Sequence, residues 1–180
     1  MKLRLSYSLL YEWSRGNVDG AIKTYFHMQR EPNKYMEDGK RIHKEIQDHI
    51  VETKQLPDWF FKYQFLSPEN EKEVIVPYND LFDIKILIDT YDSGTGFEYK
   101  TGINDSLVWS RTAQIPMYFL VCELAKIPIN KFYLMRWNQY NKEKDLVIYW
   151  NTQTARDYAR NFIDSYGVEI HSHFVEQGLI

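Results

Sequence analysis

"DTYDSGTGFEYKTG", residues 89–102, decides how the middle of this chain folds. Ser93-Gly94 separates two runs rich in β-branched and aromatic residues, and glycine in second place suits the positive φ of a type I′ turn. A two-residue turn there sets Asp89 directly opposite Glu98, with Cβ atoms about 4.5–5.5 Å apart. Strand alternation assigns the faces. Ile84, Ile86 and Ile88 share one face, and Phe97, Tyr99 and Thr101 share it across the turn. The other face carries Asp83, Lys85, Leu87 and Asp89, then Glu98 and Lys100. Two facing carboxylates repel unless a positive charge sits between them, and a hard cation such as Mg²⁺ or Mn²⁺ suits their oxygens. Lys100 follows on the same face, in reach of a charged reacting group. The chemistry that fits is metal-assisted hydrolysis of a phosphate ester. The same residues also fit an exposed hairpin with ordinary surface charges.

Outward from the hairpin, the pattern alternates between helix and strand. Residues 6–29 have helical spacing with Ser6 as N-cap, and "RGNVDG" is a break or bend within it. Residues 36–54 form a second helix, with Gly39, Ile42, His43, Ile46 and Ile50 on one face. "WFFKYQFL", "EKEVIVPY", "DIKILIDTY" and "GFEYKTG" are strand-like. Residues 106–126 return to helix, with a kink expected at Pro116. "KFYLMRWNQY" and "KDLVIYW" form a hairpin through "NKEK". Asn151 or Thr152 caps a last helix over about 153–165, and Gly167 ends it. The expected architecture is an α/β fold, a mixed sheet flanked by helices, in one domain over 1–180.

Composition narrows the function. With 180 residues, 44% apolar and 16% aromatic, the chain can build a core and is not a disordered tail. The formal net charge of −3 excludes a global basic field for nucleic acid, while 22 Lys and Arg leave room for a local basic face. One cysteine, Cys122, sits in an apolar run. It cannot build a disulfide, a four-Cys zinc site or an iron–sulfur cluster within the chain, and it reads as a small core residue. "MKLRLSYSLLYEW" has neither the run of a membrane span nor that of a secretory signal, so a soluble cytoplasmic protein is expected.

These motifs resemble the PD-(D/E)XK nuclease superfamily, in its RecB-like branch. Four pieces carry the resemblance in order over residues 5–125: "LSYSLLYEW"; "GKRIHKEI" as Gly-x-x-x-His; Asp89 with Glu98-x-Lys100; and "QIPMY" as Gln-x-x-x-Tyr. The resemblance implies a restriction-endonuclease-like core. It implies His43, Asp89 and Glu98 as metal ligands, with the Tyr99 backbone carbonyl assisting, and Lys100 as the catalytic lysine beside Asp89 and Glu98. Gln114 and Tyr118 share a helix face with Arg111 and would border the site and its substrate. The chain departs from the pattern where Ile86 stands at a frequent glycine, where Pro116 interrupts the Gln-x-x-x-Tyr stretch, and in lacking the four cysteines of cluster-bearing, Cas4-like members.

Other residues have plainer readings. His43 alone, on an apolar helix face, is a structural histidine; with Gly39 and the hairpin it becomes a ligand. His171 and His173 are more simply incidental than a metal pair. Among Trp59, Trp109 and Trp137, one or two are candidates for stacking on unpaired bases. Lys40, Arg41 and Lys44 flank His43 and suit a phosphate backbone. The expected function is a Mg²⁺- or Mn²⁺-dependent deoxyribonuclease acting on single-stranded DNA or strand ends, in repair, recombination, or phage or mobile-element replication. The alternatives are a non-catalytic nucleic-acid-binding module on the same fold, and a hydrolase of another phosphate ester.

Overall fold

The computed structural model describes residues 2–28, 34–101 and 112–180. Its elements run β1 (Leu3–Ser6), α1 (Tyr7–Ser14), α2 (Val18–Tyr25), α3 (Lys34–Thr53), β2 (Glu69–Pro77), β3 (Phe82–Asp92), β4 (Thr95–Thr101), α4 (Gln114–Leu124), β5 (Lys131–Trp137), β6 (Lys144–Trp150) and α5 (Gln153–Glu176). The six strands form one mixed sheet in the order β1-β3-β4-β5-β6, with β2 also paired to β3. Helices cover both faces, as a restriction-endonuclease-like α/β fold requires. No described helix is long and apolar enough to cross a membrane.

Local chemistry accounts for most boundaries. The Ser6 hydroxyl accepts a hydrogen bond from the Leu9 amide at 3.3 Å and starts α1. Gly16, at φ +74°, ends it, and the Asn17 side chain then caps α2 through the Gly20 amide at 3.0 Å. "RGNVDG" is thus a break between two helices. The Thr152 hydroxyl accepts from the Ala155 amide at 3.2 Å and starts α5. Along α3, Ile42, Ile46 and Ile50 are buried at four-residue spacing.

Two cores result, one on each face of the sheet. In the first, Leu3, Leu5, Phe82, Ile84, Ile86 and Ile88 pack with Leu9 and Leu10 of α1, most of α4, and Ile163, Ile170 and Phe174 of α5. In the second, Ile42, Ile46 and Ile50 pack on Phe97, Tyr99 and Met135, closed by Leu56, Phe60 and Phe65.

Several sequence expectations are corrected. Leu3–Ser6, to which the sequence assigned no element before the Ser6 cap, is a strand paired in parallel with the start of β3. "WFFKYQFL" is not a strand; a single bridge, Gln55 to Gln64, touches it. Its aromatics are spent closing the second core, with Phe60 and Phe65 buried and Trp59, Phe61 and Tyr63 against them. Pro116 does not kink a helix, because α4 begins at Gln114. Proline there lies in the first turn, where backbone amides have no intrahelical partner to lose. Residues 106–111 of the expected helix lie outside the described residues.

Gly167 does not end α5, which continues nine residues further to Glu176. It is a packing glycine. A Cβ on it would lie 2.6 Å from Phe82 Cζ and 3.1 Å from Leu5 Cδ1. Both neighbours are fully buried. Gly167→Ala gains about 1 kcal/mol of helix propensity but overpacks this contact, at about 1–3 kcal/mol. The variant is expected to melt lower, by about 2–4 °C for each net kcal/mol lost. A Tm equal to or above that of the parent would show that Phe82 gives way at no cost.

Candidate active site

Ser93 and Gly94 both have positive φ, +48° and +82°, as a type I′ turn demands. The register that follows is the expected one: Asp92 faces Thr95, Tyr91 faces Gly96, and Thr90 faces Phe97. The ladder stops there. At the next rung the Asp89 side chain takes over, its Oδ2 accepting from the Tyr99 amide at 2.7 Å. On the same edge of β3, β1 pairs with residues 82–85 and β4 with residues 90–92. Residues 86–89 have no strand pairing on that edge, and the sheet opens at Asp89.

The expected faces hold only up to that point. Ile84, Ile86 and Ile88 lie in the first core, and Phe97 and Tyr99 lie in the second, on the other side of the sheet. The reason is a change of phase at Asp89. Ile88 and Thr90 would share a face in an unbroken strand. Instead the Thr90 hydroxyl donates to Asn70 Oδ1 at 2.8 Å, and Asn70 donates to the Gln47 carbonyl of α3 at 3.3 Å. Asp92 likewise accepts from the Leu66 and Ser67 amides beside the second core, at 3.0 and 2.7 Å.

Glu98 is the most enclosed carboxylate of the site, only 3% exposed. Its Oε1 accepts from Lys100 Nζ at 2.6 Å and from Gln114 Nε2 at 2.7 Å. Gln114 Nε2 also donates to the Tyr118 hydroxyl at 2.8 Å. Gln114 and Tyr118, buried on α4, therefore reach Glu98 from behind. Glu98 Oε2 is buried with no hydrogen-bond partner among the described residues. An orphaned buried carboxylate oxygen is costly unless something cationic or protic completes it.

Electrostatics follow the geometry. Burial, then the charge of Glu98, pushes the Asp89 carboxyl well above its ordinary range, with Lys100 and the Tyr99 amide pulling the other way. Burial pushes His43 below the usual imidazole value, opposed by Glu98. Burial and the nearby Glu98 and Asp89 hold the Tyr118 phenol protonated. His43 packs its ring 6.3 Å from the Tyr99 ring, edge to face, and the Tyr99 backbone favours its charged form. Gly39 allows this approach, since a Cβ there would lie 3.1 Å from Thr101 Oγ1.

Asp89 faces a cleft of about 800 Å³ lined also by Lys40, His43, Lys44, Glu71, Leu87 and Thr101, whereas Glu98 and Lys100 are not among its lining residues. Asp89, Glu98, Lys100 and Tyr99 thus come together at the split between β3 and β4, with His43 across from them on α3. Among the described residues, no three His, Cys, Asp or Glu side chains form a preformed metal cage. Asp89 with the free Glu98 Oε2 still fits a Mg²⁺-like ion, which keeps several waters and needs only one or two protein carboxylates. Arg111 and Trp109 lie outside the described residues. Trp59 and Trp137 pack on each other, 4.6 Å between centroids, against the second core. His173 packs on Trp13, 5.2 Å away. Glu71 had no sequence signal: in "EKEVIVPY" it reads as one more polar residue at a strand end.

No protein-family model and no curated protein matches the chain. Solved structures do share its fold. An alkaline exonuclease from Laribacter hongkongensis superposes with a TM-score of 0.57 at 10% identity, over 97% of this chain and 91% of its own. The same enzyme in complex with dAMP gives 0.58 at 10% identity, over 96% and 90%. A candidate exonuclease from Eubacterium rectale gives 0.50 at 13% identity, over 98% and 70%.

The raised Asp89 carboxyl makes stability depend on pH. Without metal, the folded chain keeps a proton there that the unfolded chain has already lost. Stability therefore falls as pH rises from the ordinary carboxylate range through the raised folded value. Asp89→Asn removes that loss and can still accept from the Tyr99 amide. In EDTA, the variant is expected to melt above the parent at pH 8, with the difference shrinking toward pH 4. Parallel melting curves across that range would mean that the fold does not raise the Asp89 carboxyl.

Proposed function

We propose that this protein is a Mg²⁺- or Mn²⁺-dependent nuclease of the RecB-like type, hydrolysing DNA phosphodiester bonds at single strands or strand ends. The observation that carries the reading is the Asp89–Glu98 pair at an open rung of the sheet, with Lys100 Nζ 2.6 Å from Glu98. The fold shared with exonucleases, one of them seen with dAMP, supports it. So does a cleft that carries Lys40 and Lys44 beside Asp89. The single cysteine, buried in α4, argues against a cluster-bearing, Cas4-like relative.

Each side chain has a part in this reading. Asp89 and Glu98 Oε2 would hold the cation, with the Tyr99 carbonyl and His43 completing the set. When bound, the cation supplies a Lewis acid and an acidified water. Lys100 holds positive charge where the phosphate turns over and the leaving oxygen gains charge. Gln114 and Tyr118 fix the rotamer of Glu98, so that Oε1 is spent on protein donors and Oε2 is left for the site. Lys40 and Lys44 draw the backbone of the strand into the cleft.

A second reading is a nucleic-acid-binding module on the same fold without catalysis. Two experiments separate them. Purified protein is expected to degrade end-labelled single-stranded DNA with Mg²⁺ or Mn²⁺ and to stop in EDTA. Cleavage that persists in EDTA would sink the metal mechanism, and DNA binding with no cleavage under any of these conditions would favour the module.

Lys100→Ala is expected to lose about 3–5 kcal/mol of transition-state stabilisation, at about 1.4 kcal/mol per tenfold in single-turnover rate. Gel-shift binding of the same DNA should stay near that of the parent. Cleavage within about tenfold of the parent would remove Lys100 from the chemistry.

A further inference from the structure

Glu71 stands opposite Asp89. The β2–β3 register runs Asn70 with Thr90, skips the Glu71–Asp89 rung, and resumes at Lys72 with Ile88. Glu71 has φ +50°, a left-handed conformation rare for a side chain of its kind. Both strands change phase at this rung. On β2, Asn70 reaches α3 through the Gln47 carbonyl, whereas Lys72 lies 4.4 Å over the ring of Tyr91, a first-core residue. In an unbroken strand, Asn70 and Lys72 would share a face. On β3, Ile88 and Thr90 part in the same way. Glu71 lies outside the β region while the register is the same on either side, so the change of phase involves no inserted residue.

We propose that Glu71 is a positioning residue acting through its backbone: its left-handed turn twists the Glu71–Asp89 rung and aims the Asp89 carboxylate at the opening between β3 and β4. In an unbroken ladder, Asp89 would follow strict alternation. The phase change instead brings its Oδ2 to the Tyr99 amide at 2.7 Å and its charge beside Glu98. The Glu71 carboxylate is exposed, its one described side-chain donor being Gln47 Nε2 at 3.3 Å, and the aim does not depend on it. The inference rests on the nuclease reading only for its consequence in cleavage.

The test reads the Tyr99–Asp89 hydrogen bond by NMR amide exchange in Glu71→Gly, Glu71→Asn and Glu71→Val. All three remove the carboxylate. Glycine and asparagine accept a left-handed backbone, and valine, branched at Cβ, resists it. Tyr99 exchange is expected to stay within about fivefold of the parent in the glycine and asparagine variants, and to rise at least about 100-fold in the valine variant. Equal protection in all three, or loss in all three, overturns the proposal. If the valine variant does not fold, melting of the other two decides. A Tm at or above that of the parent, with Tyr99 protection kept, upholds the proposal, and a fall in either overturns it. Single-strand cleavage with Mn²⁺ follows as a separate arm. It should track Tyr99 protection across the variants. If the parent itself does not cleave, the nuclease reading fails while the exchange data still decide how Asp89 is aimed.

Discussion

The structure turns on one rung that the sheet does not close. Asp89 and Glu98 occupy the positions that would continue the β3–β4 ladder, and like charges directly opposite are unfavourable there. The chain resolves the conflict by opening the ladder. Asp89 turns onto the Tyr99 amide. Glu98 turns toward α4 and takes Lys100 and Gln114 as donors. Everything around this rung keeps it open: β1 pairs only with the first four residues of β3, β4 only with the last three, and β2 bends at Glu71.

Such an arrangement needs support from outside the sheet. Burying Glu98 would cost several kcal/mol if it were unpaired, and α4 supplies the partner that offsets part of this. That explains why a polar pair, Gln114 and Tyr118, sits among apolar residues in the buried stretch of α4 from Gln114 to Cys122. On the opposite side, α3 is held close by Gly39 against Thr101 and by isoleucines at four-residue spacing. The first core anchors α5 just as closely, at Gly167 against Phe82 at the start of β3. The strand that carries Asp89 is therefore fixed at its beginning by one helix and faced at its opening by another.

What the sequence made legible is what local chemistry determines. Ser93-Gly94 specified the turn and thereby the register, because a type I′ turn allows one pairing. Ser6 and Thr152 specified helix starts through a single hydroxyl each. The faces beyond Asp89 were not legible, because alternation assumes an unbroken strand and nothing in "EKEVIVPY" marks Glu71 as left-handed. Gly167 reads as a stop signal when the helix alone is considered. Only Phe82, distant in sequence, shows that the missing Cβ makes room for a ring. Pro116 reads as a kink when the helix is drawn from residue 106, and as an ordinary first-turn proline once it starts at Gln114. "WFFKYQFL" has strand composition, but its side chains answer to the second core and not to a ladder.

The charge count of the site links its two proposed ligands. With Asp89 ionised, as a bound cation would require, Asp89 and Glu98 bring two negative charges and Lys100 brings one positive, so the enclosed part of the site is one charge short of balance. A phosphodiester alone would add a further negative charge to a sheltered pocket, where the cost is greater than in water. A divalent cation alone would leave the pocket one charge positive. Together they sum to zero. On the nuclease reading, metal and DNA therefore each improve the other's binding, and the coupling is reciprocal. The same count gives Lys100 its place. Bonded to Glu98 Oε1, it lowers the cost of the buried carboxylate in the empty site. Beside a bound phosphate it would add a positive charge at the scissile group without occupying Glu98 Oε2, the oxygen that a cation would need.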